Sequence, residues 1–179
     1  MKCFLTLLAS LAATTVGFGW DLDLGKNITH DVSHSIDKVN VLPLALDDSF
    51  QFRKTMIQFN DPQLNKPSYD PMINFERGRI NWGAVDGYER RARYGHYYKF
   101  FWRCAHKSDL TVRFEYRQQN LGAFVQARET EYKGVKGSQM TEFDIIGDQY
   151  LEDGKVSGWR VLLIENGKIV ALNQSFLWN

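Results

Sequence analysis

"GYERRARYGHYYKFFWRC", residues 87–104, mixes arginine and lysine with aromatic rings more densely than any other stretch of the chain. As a surface it would bind nucleic acid or another anion; as a strand its rings would fill a core. Parity separates the two. Tyr94, His96, Tyr98, Phe100, Trp102 and Cys104 fall on one side, and Gly95, Tyr97, Lys99, Phe101 and Arg103 on the other. The even side is nearly all apolar or aromatic, which is what a core demands of a strand. Residues 96–104 are therefore expected inside, with Tyr97 and Phe101 left on a mixed face.

Downstream the period of two continues. In "TVRFEYRQ", residues 111–118, Val112, Phe114 and Tyr116 alternate with Arg113, Glu115 and Arg117, the pattern of a half-buried antiparallel strand. In "GWRVLLIENGKIVALNQSFLW", residues 158–178, Asn166-Gly167 separates two apolar runs. Asn-Gly is the preferred type I′ pair because both positions need φ > 0. That turn sets Glu165 opposite Lys168, Leu163 opposite Val170 and Val161 opposite Leu172. Asp153-Gly154 reads as a further turn, making the C-terminal third a three-strand meander. Both faces of the last hairpin are apolar, so something must cover the second one.

The N-terminal part differs. Residues 1–19 have the build of a cleaved signal peptide: Met1-Lys2, an apolar run from Cys3 to Ala13, then small residues to Gly19. Cleavage is expected after Gly19, with Ala12 and Ala13 as alternatives. The protein is thus expected to be exported, periplasmic or secreted, and no other stretch is long and apolar enough to span a membrane. Leu24, Ile28, Val32, Ile36 and Val39 form one stripe of an amphipathic helix ending before Pro43. It is the economical cover for the last hairpin; another subunit is the alternative. The four prolines, Pro43, Pro62, Pro67 and Pro71, all precede Met72, and proline is excluded from central strands. The domains expected are a leader (1–19), a helical appendage (20–48) and a β domain (49–179), with a first strand at Ser49–Asn60, a loop at Asp61–Pro71 and the main sheet from Met72 onward.

The segment "GDQYLEDGKVSGWRVLLIENGKIVALNQSFLW", residues 147–178, resembles the last strands of immunoglobulin- or fibronectin-like sandwiches in small exported bacterial proteins. The resemblance implies a disulfide-free, all-β, antiparallel immunoglobulin-like sandwich and says nothing of ligands.

Without Lys2 the chain would carry 21 basic and 21 acidic residues. That balance argues against nucleic acid as a partner. With the leader gone only Cys104 remains, so no intramolecular disulfide is available and a hydrophobic core must supply stability. Cys104 and His106 share a strand face, but it is the core face, where a thiol is inert. His30 and His34 sit one helical turn apart, opposite the apolar stripe and without a pocket, so no metal site and no cofactor are expected. The carboxylates of "ETE" (129–131) and "EFD" (142–144) point outward on strands, and that of "EDG" (152–154) lies in a turn. Nucleophile-elbow, phosphate-loop, dinucleotide and metalloprotease motifs are absent. Asn27 and Asn173 fit the glycosylation pattern, the second on a strand that makes it a poor acceptor.

What remains is a cluster before the periodic run: Trp82, Tyr88, Arg90, Arg91 and Arg93, expected in loops beside an Asp86-Gly87 turn. Such a cluster could hold an acidic glycan, a phosphate-bearing polymer or an acidic protein surface. The competing reading is a solvated loop whose arginines pair with Glu76, Asp86 and Glu89, and it weighs more, since exposed charge runs are usually no more than that. The expectation for function is a non-enzymatic exported protein acting by binding or self-assembly. A glycan-binding module is the alternative, and a hydrolase with an unrecognised site a second one.

Overall fold

The computed structural model describes residues 33–36, 39–61 and 68–178. The leader, Asn27, His30 and the first part of the expected helix lie outside the described residues. The elements are β1 (His34–Ile36), β2 (Phe50–Asn60), α1 (Pro71–Ile80), α2 (Gly87–Ala92), β3 (Gly95–Gln118), β4 (Val125–Ile146), α3 (Asp148–Asp153), β5 (Val156–Glu165) and β6 (Lys168–Gln174). The chain is mostly antiparallel β-sheet.

β3 and β4 form one long hairpin, paired from Gly95↔Ile146 to Arg117↔Val125. Its register breaks between Cys104 and Ser108 and again before Leu110, opposite Gly134 and Gly137, whose φ values are positive. Extra residues in a ladder bend it, and here they divide the hairpin into two halves. β2 pairs along the first half and β5 along the second. β6 extends β5, and β1 pairs with the outer edge of β4. The halves face each other. The Tyr98 ring lies 4.8 Å from Phe114, and Phe100 lies 5.4 Å from both Phe114 and Trp159. Across the remaining seam, Asn173 on β6 donates to Thr55 on β2 at 3.0 Å.

The even side of residues 94–104 is the core side, as parity predicts. Tyr98, Phe100, Trp102 and Cys104 are buried with Val112, Phe114, Tyr116, Phe143, Val161 and Leu163. Each large ring removed from water contributes about 1.5–3 kcal/mol, and the polar tips are satisfied. Trp102 Nε1 donates to Thr141 Oγ1 at 2.9 Å, and Tyr132 O–H lies 2.8 Å from the same oxygen.

Several expectations are corrected. The described strands belong to one hydrogen-bonded sheet, in the order β1-β4-β3-β5-β6 with β2 also on β3, where an immunoglobulin-like sandwich would hold two. A 24-residue strand with an internal bulge can bend through both layers instead of ending between them. The region from Met72 is not all sheet, since α1 and α2 precede β3. "DQYLE" is helical in α3, so the C-terminal meander reduces to the β5–β6 hairpin. Its turn is as expected, with Asn166 at φ 49° and Gly167 at φ 71°. Glu165 does face Lys168, but a bulge between Leu163 and Ile164 then sets Leu163 opposite Ala171 and Val161 opposite Asn173.

The outer face of β3 is not solvated as its alternation suggests: Arg113 is buried, and Glu115 is 1 % exposed. Leu162 and Ile164 of β5 are buried on that same face. Of the expected helical stripe, Ile36 lies in the edge strand β1 beside β4 and not in a helix. His34–Ile36 is a strand, and the Asn40 carbonyl accepts from Arg113 Nη1 at 3.1 Å. Residues 43–47 then follow the β6 edge, where Ile169 N–H donates to Pro43 O and Ala45 N–H to Ile169 O, both at 2.9 Å. Pro43 biases the residue before it toward extended backbone. From the other end of the chain Trp178 lies under the guanidiniums of Arg117 and Arg160, at 4.6 and 5.0 Å.

Candidate functional site

Between β2 and β3 the chain leaves the sheet for an excursion built of α1 and α2. Asp70 caps α1, its carboxylate accepting from Met72 N–H at 2.8 Å, with Pro71 at the first helical position. Asp86 caps α2 in the same way through Glu89 N–H at 2.8 Å, and the Glu89 carboxylate reaches back to Val85 N–H at 2.6 Å. This resembles a capping box, with Asp and Glu three residues apart. Asp86-Gly87 therefore opens a helix and is not a free turn. The D-x-x-E spacing and the Asp-Pro pair are the sequence signals that would have revealed both helices.

Neither helix buries a single residue. Trp82 is 84 % exposed, Tyr88 77 % and Phe75 65 %, with Met72, Ile73 and Val85 also exposed. The five candidate residues divide. Trp82, Tyr88 and Arg90 lie open to solvent. Arg91 makes an exposed 3.4 Å ion pair with Asp148 at the start of α3, worth little in high dielectric. Arg93 is internal scaffolding: Nη1 donates to the carbonyls of Ile80 and Trp82, and its own carbonyl accepts from Asn60 Nδ2 and Tyr97 O–H, each at 2.8 Å. The acids expected to neutralise these arginines serve elsewhere. Asp86 and Glu89 take backbone N–H groups, and Glu76 takes Gln58 Nε2 at 2.7 Å and Arg79 at 3.1 Å.

Beneath α1 runs a slot of roughly 370 Å³. Ile57 and Phe59 of β2 and Met72, Ile73 and Ile80 of α1 line it, together with Gln58, Glu76 and Arg77. A larger open groove of roughly 520 Å³ follows the β2–β6 seam, lined by Asp47, Asp48, Gln51, Arg53 and Asn173.

A second group of chemically capable side chains was not visible in sequence. Asp61, His96, Tyr98, Tyr150 and Lys155 come from β2's end, β3, α3 and the start of β5. Asp61 pairs with Lys155 Nζ and accepts from Tyr150 O–H at 3.3 Å, and His96 Nδ1 lies 3.3 Å from Tyr98 O–H. Loss of solvent, reinforced by Lys155, lowers the His96 pKa to about 4, against the opposing pull of Asp61. Burial first, then the Asp61 charge, pushes Tyr150 up to about 12. His96, Asp61 and Tyr150 are all at most 5 % exposed. The cluster is a polar knot joining α3 to the β2–β3 pair, with His96 itself buried.

The remaining candidates resolve individually. Cys104 is a buried free thiol lying near the carbonyls of His106 and Val135. His106 does not share its face: the bulge carries it outward, edge-on to Phe50 at 5.0 Å and 3.7 Å from Glu165. His34 lies on β1, with Glu129 as its Cα partner. Among the described residues no group of three His, Cys, Asp or Glu side chains could hold a metal ion. Glu142 forms a 2.6 Å cross-strand pair with Lys99, and Glu129 pairs with Arg113. Asn173 spends its side chain on Thr55. No helix among the described residues is long and apolar enough to cross a membrane. Comparison with protein-family models, with curated proteins and with solved structures finds no match for this chain.

Proposed function

We propose that this is a non-enzymatic exported protein that works by binding or assembly, in the cell envelope or outside the cell, through the face formed by α1, α2 and their connection. The observation that carries this reading is the excursion itself. Two helices that bury none of their own residues keep large apolar and aromatic side chains in water. Such a patch is costly without a partner, and contiguous exposed apolar surface marks interaction sites. The rolled, disulfide-free sheet serves as the rigid carrier, and the polar clamp at Asn60, Asn81 and Arg93 fixes the excursion to it. The leader-like residues 1–19 support export.

Size-exclusion chromatography with light scattering, together with a pull-down from envelope extract, tests the reading. The wild-type chain is expected to self-associate or retain a partner, and Phe75→Ser/Trp82→Ser/Tyr88→Ser to lose it with its thermal melt unchanged. A strict monomer that retains nothing counts against it. The glycan alternative keeps one observation in its favour, the open rings of Trp82 and Tyr88 beside exposed Arg90. A glycan array showing equal signal for wild type and Trp82→Ala/Tyr88→Ala/Arg90→Ala would dispose of it.

A further inference from the structure

We infer that the cleft between Arg53 and Arg103, on the outer face of the β2–β3 pair, binds a phosphate group. The site lies at the opposite end of β2 from the Asn60 clamp and stands independently of the reading above.

A break in register brings the two guanidiniums together. Phe52 pairs with Trp102 and Lys54 with Phe101, so Arg53 is the extra residue of a bulge. Bulges re-aim side chains and gather beside functional sites. This one keeps Phe50 and Phe52 against the core and leaves Arg53 exposed, two residues from Gln51, the direct partner of Arg103. Between them lies a cleft of roughly 200 Å³ lined by Asp48, Ser49, Gln51, Arg53, Arg103 and Ala105. Its frame is hydrogen-bonded: Ala105 N–H donates to Ser49 O at 2.9 Å, Ser49 N–H to the Asp47 carboxylate at 2.8 Å, and Gln51 Nε2 to Asp48 O at 3.1 Å.

Neither guanidinium is neutralised. Other cations of the sheet have acids beside them, as Lys99 has Glu142, Arg113 has Glu129 and Arg160 has Glu115. Arg103 instead stands between Gln51 and Ser138, both uncharged. Among the described residues no carboxylate lies within ion-pair reach of Arg53 or Arg103. Asp48 is the one acid in the cleft lining, and Lys54 adds a third cation, its Nζ 6.0 Å above the Phe101 ring. Like charges on adjacent strands repel, and a bound anion would relieve them.

The guanidinium forks select which anion. One fork engages both oxygens of a carboxylate, which would leave the second fork idle. A phosphate monoester presents three terminal oxygens and serves two forks at once. With a second pKa of about 6 it carries close to two negative charges at neutral pH, which matches the two arginines. The Ser49 hydroxyl lines the same cleft and is a donor of the right kind.

The test follows backbone amide shifts of the full chain by NMR at about pH 7.5, where phosphate is mostly dianionic, with sodium chloride as the ionic-strength control. Inorganic phosphate and glycerol phosphate should give saturable shifts centred on residues 49–54 and 103–105, and acetate should bind at least about fivefold more weakly. Arg53→Gln and Arg103→Gln should each weaken phosphate about tenfold. Arg103→Lys, which keeps the charge and loses the fork, should still weaken it about threefold. Arg90→Gln, on α2, should change nothing. All these side chains are exposed, and thermal melts confirm that each variant is folded. Co-sedimentation with phosphatidic acid vesicles separates the sources of the phosphate. Retention that Arg53→Gln/Arg103→Gln loses assigns it to a lipid headgroup, and absent or unchanged retention assigns it to a soluble ester. The inference is overturned by shifts no larger than those in chloride, by equal affinity for acetate and phosphate, or by undiminished phosphate binding in the double variant.

Discussion

His96 and Tyr98, two residues apart on β3, bring Nδ1 and the phenolic oxygen to 3.3 Å inside the core. The contact suits a neutral imidazole. Protonating His96 would put a second cation beside Lys155, with Asp61 as the nearby carboxylate, and Tyr97, Tyr98 and Tyr150 are uncharged at neutral pH.

Stability should therefore fall with acid in a defined window. Folded His96 titrates at about 4 against an ordinary 6.5. Above pH 6.5 both folded and unfolded chains hold it neutral, and it contributes no pH dependence. Below 6.5 the unfolded chain takes the proton first, so stability is lost progressively down to about pH 4 and levels off beneath. The full loss from this residue is about 3 kcal/mol. Urea midpoints of wild type and His96→Gln between pH 7 and pH 4 check it, and the wild type should fall more steeply. Parallel curves would show that His96 is not the group responsible.

Gly95 should not tolerate a side chain. It stands at φ 149° at the start of β3, where an added Cβ would meet Ile145 O at 2.1 Å and Ile146 Cα at 2.7 Å. Both obstacles are backbone and cannot swing aside. Gly95→Ala is expected to destabilise the fold by about 3 kcal/mol or more, through strain and clash together. Chemical denaturation measures this directly, and a loss under 1 kcal/mol would contradict the close approach.

Two ion pairs should differ sharply in worth. Glu115, 1 % exposed, lies between Arg160 and Arg113; truncating it removes the charge-assisted bond from Arg160, while Arg113 keeps Glu129 and the Asn40 carbonyl. Glu115→Ala should cost about 1.5–3 kcal/mol. Lys99 and Glu142 pair at the surface, and Glu142→Ala should cost under about 1 kcal/mol. Equilibrium unfolding of the two variants side by side gives the comparison, and similar losses would refute it.

Arg93 and Arg90 should separate scaffold from surface. Arg93→Ala removes donors to the Ile80 and Trp82 carbonyls, so trypsin should cut at Arg77, Arg79 and Arg90 several-fold faster while the sheet melts as before. Arg90→Ala should leave cleavage at Arg77 and Arg79 unchanged.

The ring-rich strand was legible because alternation encodes facing. Tyr98, Phe100 and Trp102 must share a side whichever partners they find, and the Asn166-Gly167 turn follows from backbone sterics alone. The candidate site was half legible. Trp82, Tyr88 and Arg90 were placed on the surface by composition, whereas Arg93 looks the same in sequence and is a scaffold residue. Its role depends on two carbonyls that come within reach only once α1 and α2 have formed. The helices themselves were missed because their caps, Asp70-Pro71 and Asp86 with Glu89, also read as turns.

Local chemistry thus determined which residues alternate and where the chain turns tightly. Tertiary structure alone decided that β3 bends instead of ending, that Glu115 and Arg113 lie under cover, and that Asp61, His96 and Lys155 meet. The physical reason is range. Periodicity and turn sterics act over a few residues, while burial is set by which distant segment arrives to exclude water, as the Asn40 segment and Trp178 do on the outer face.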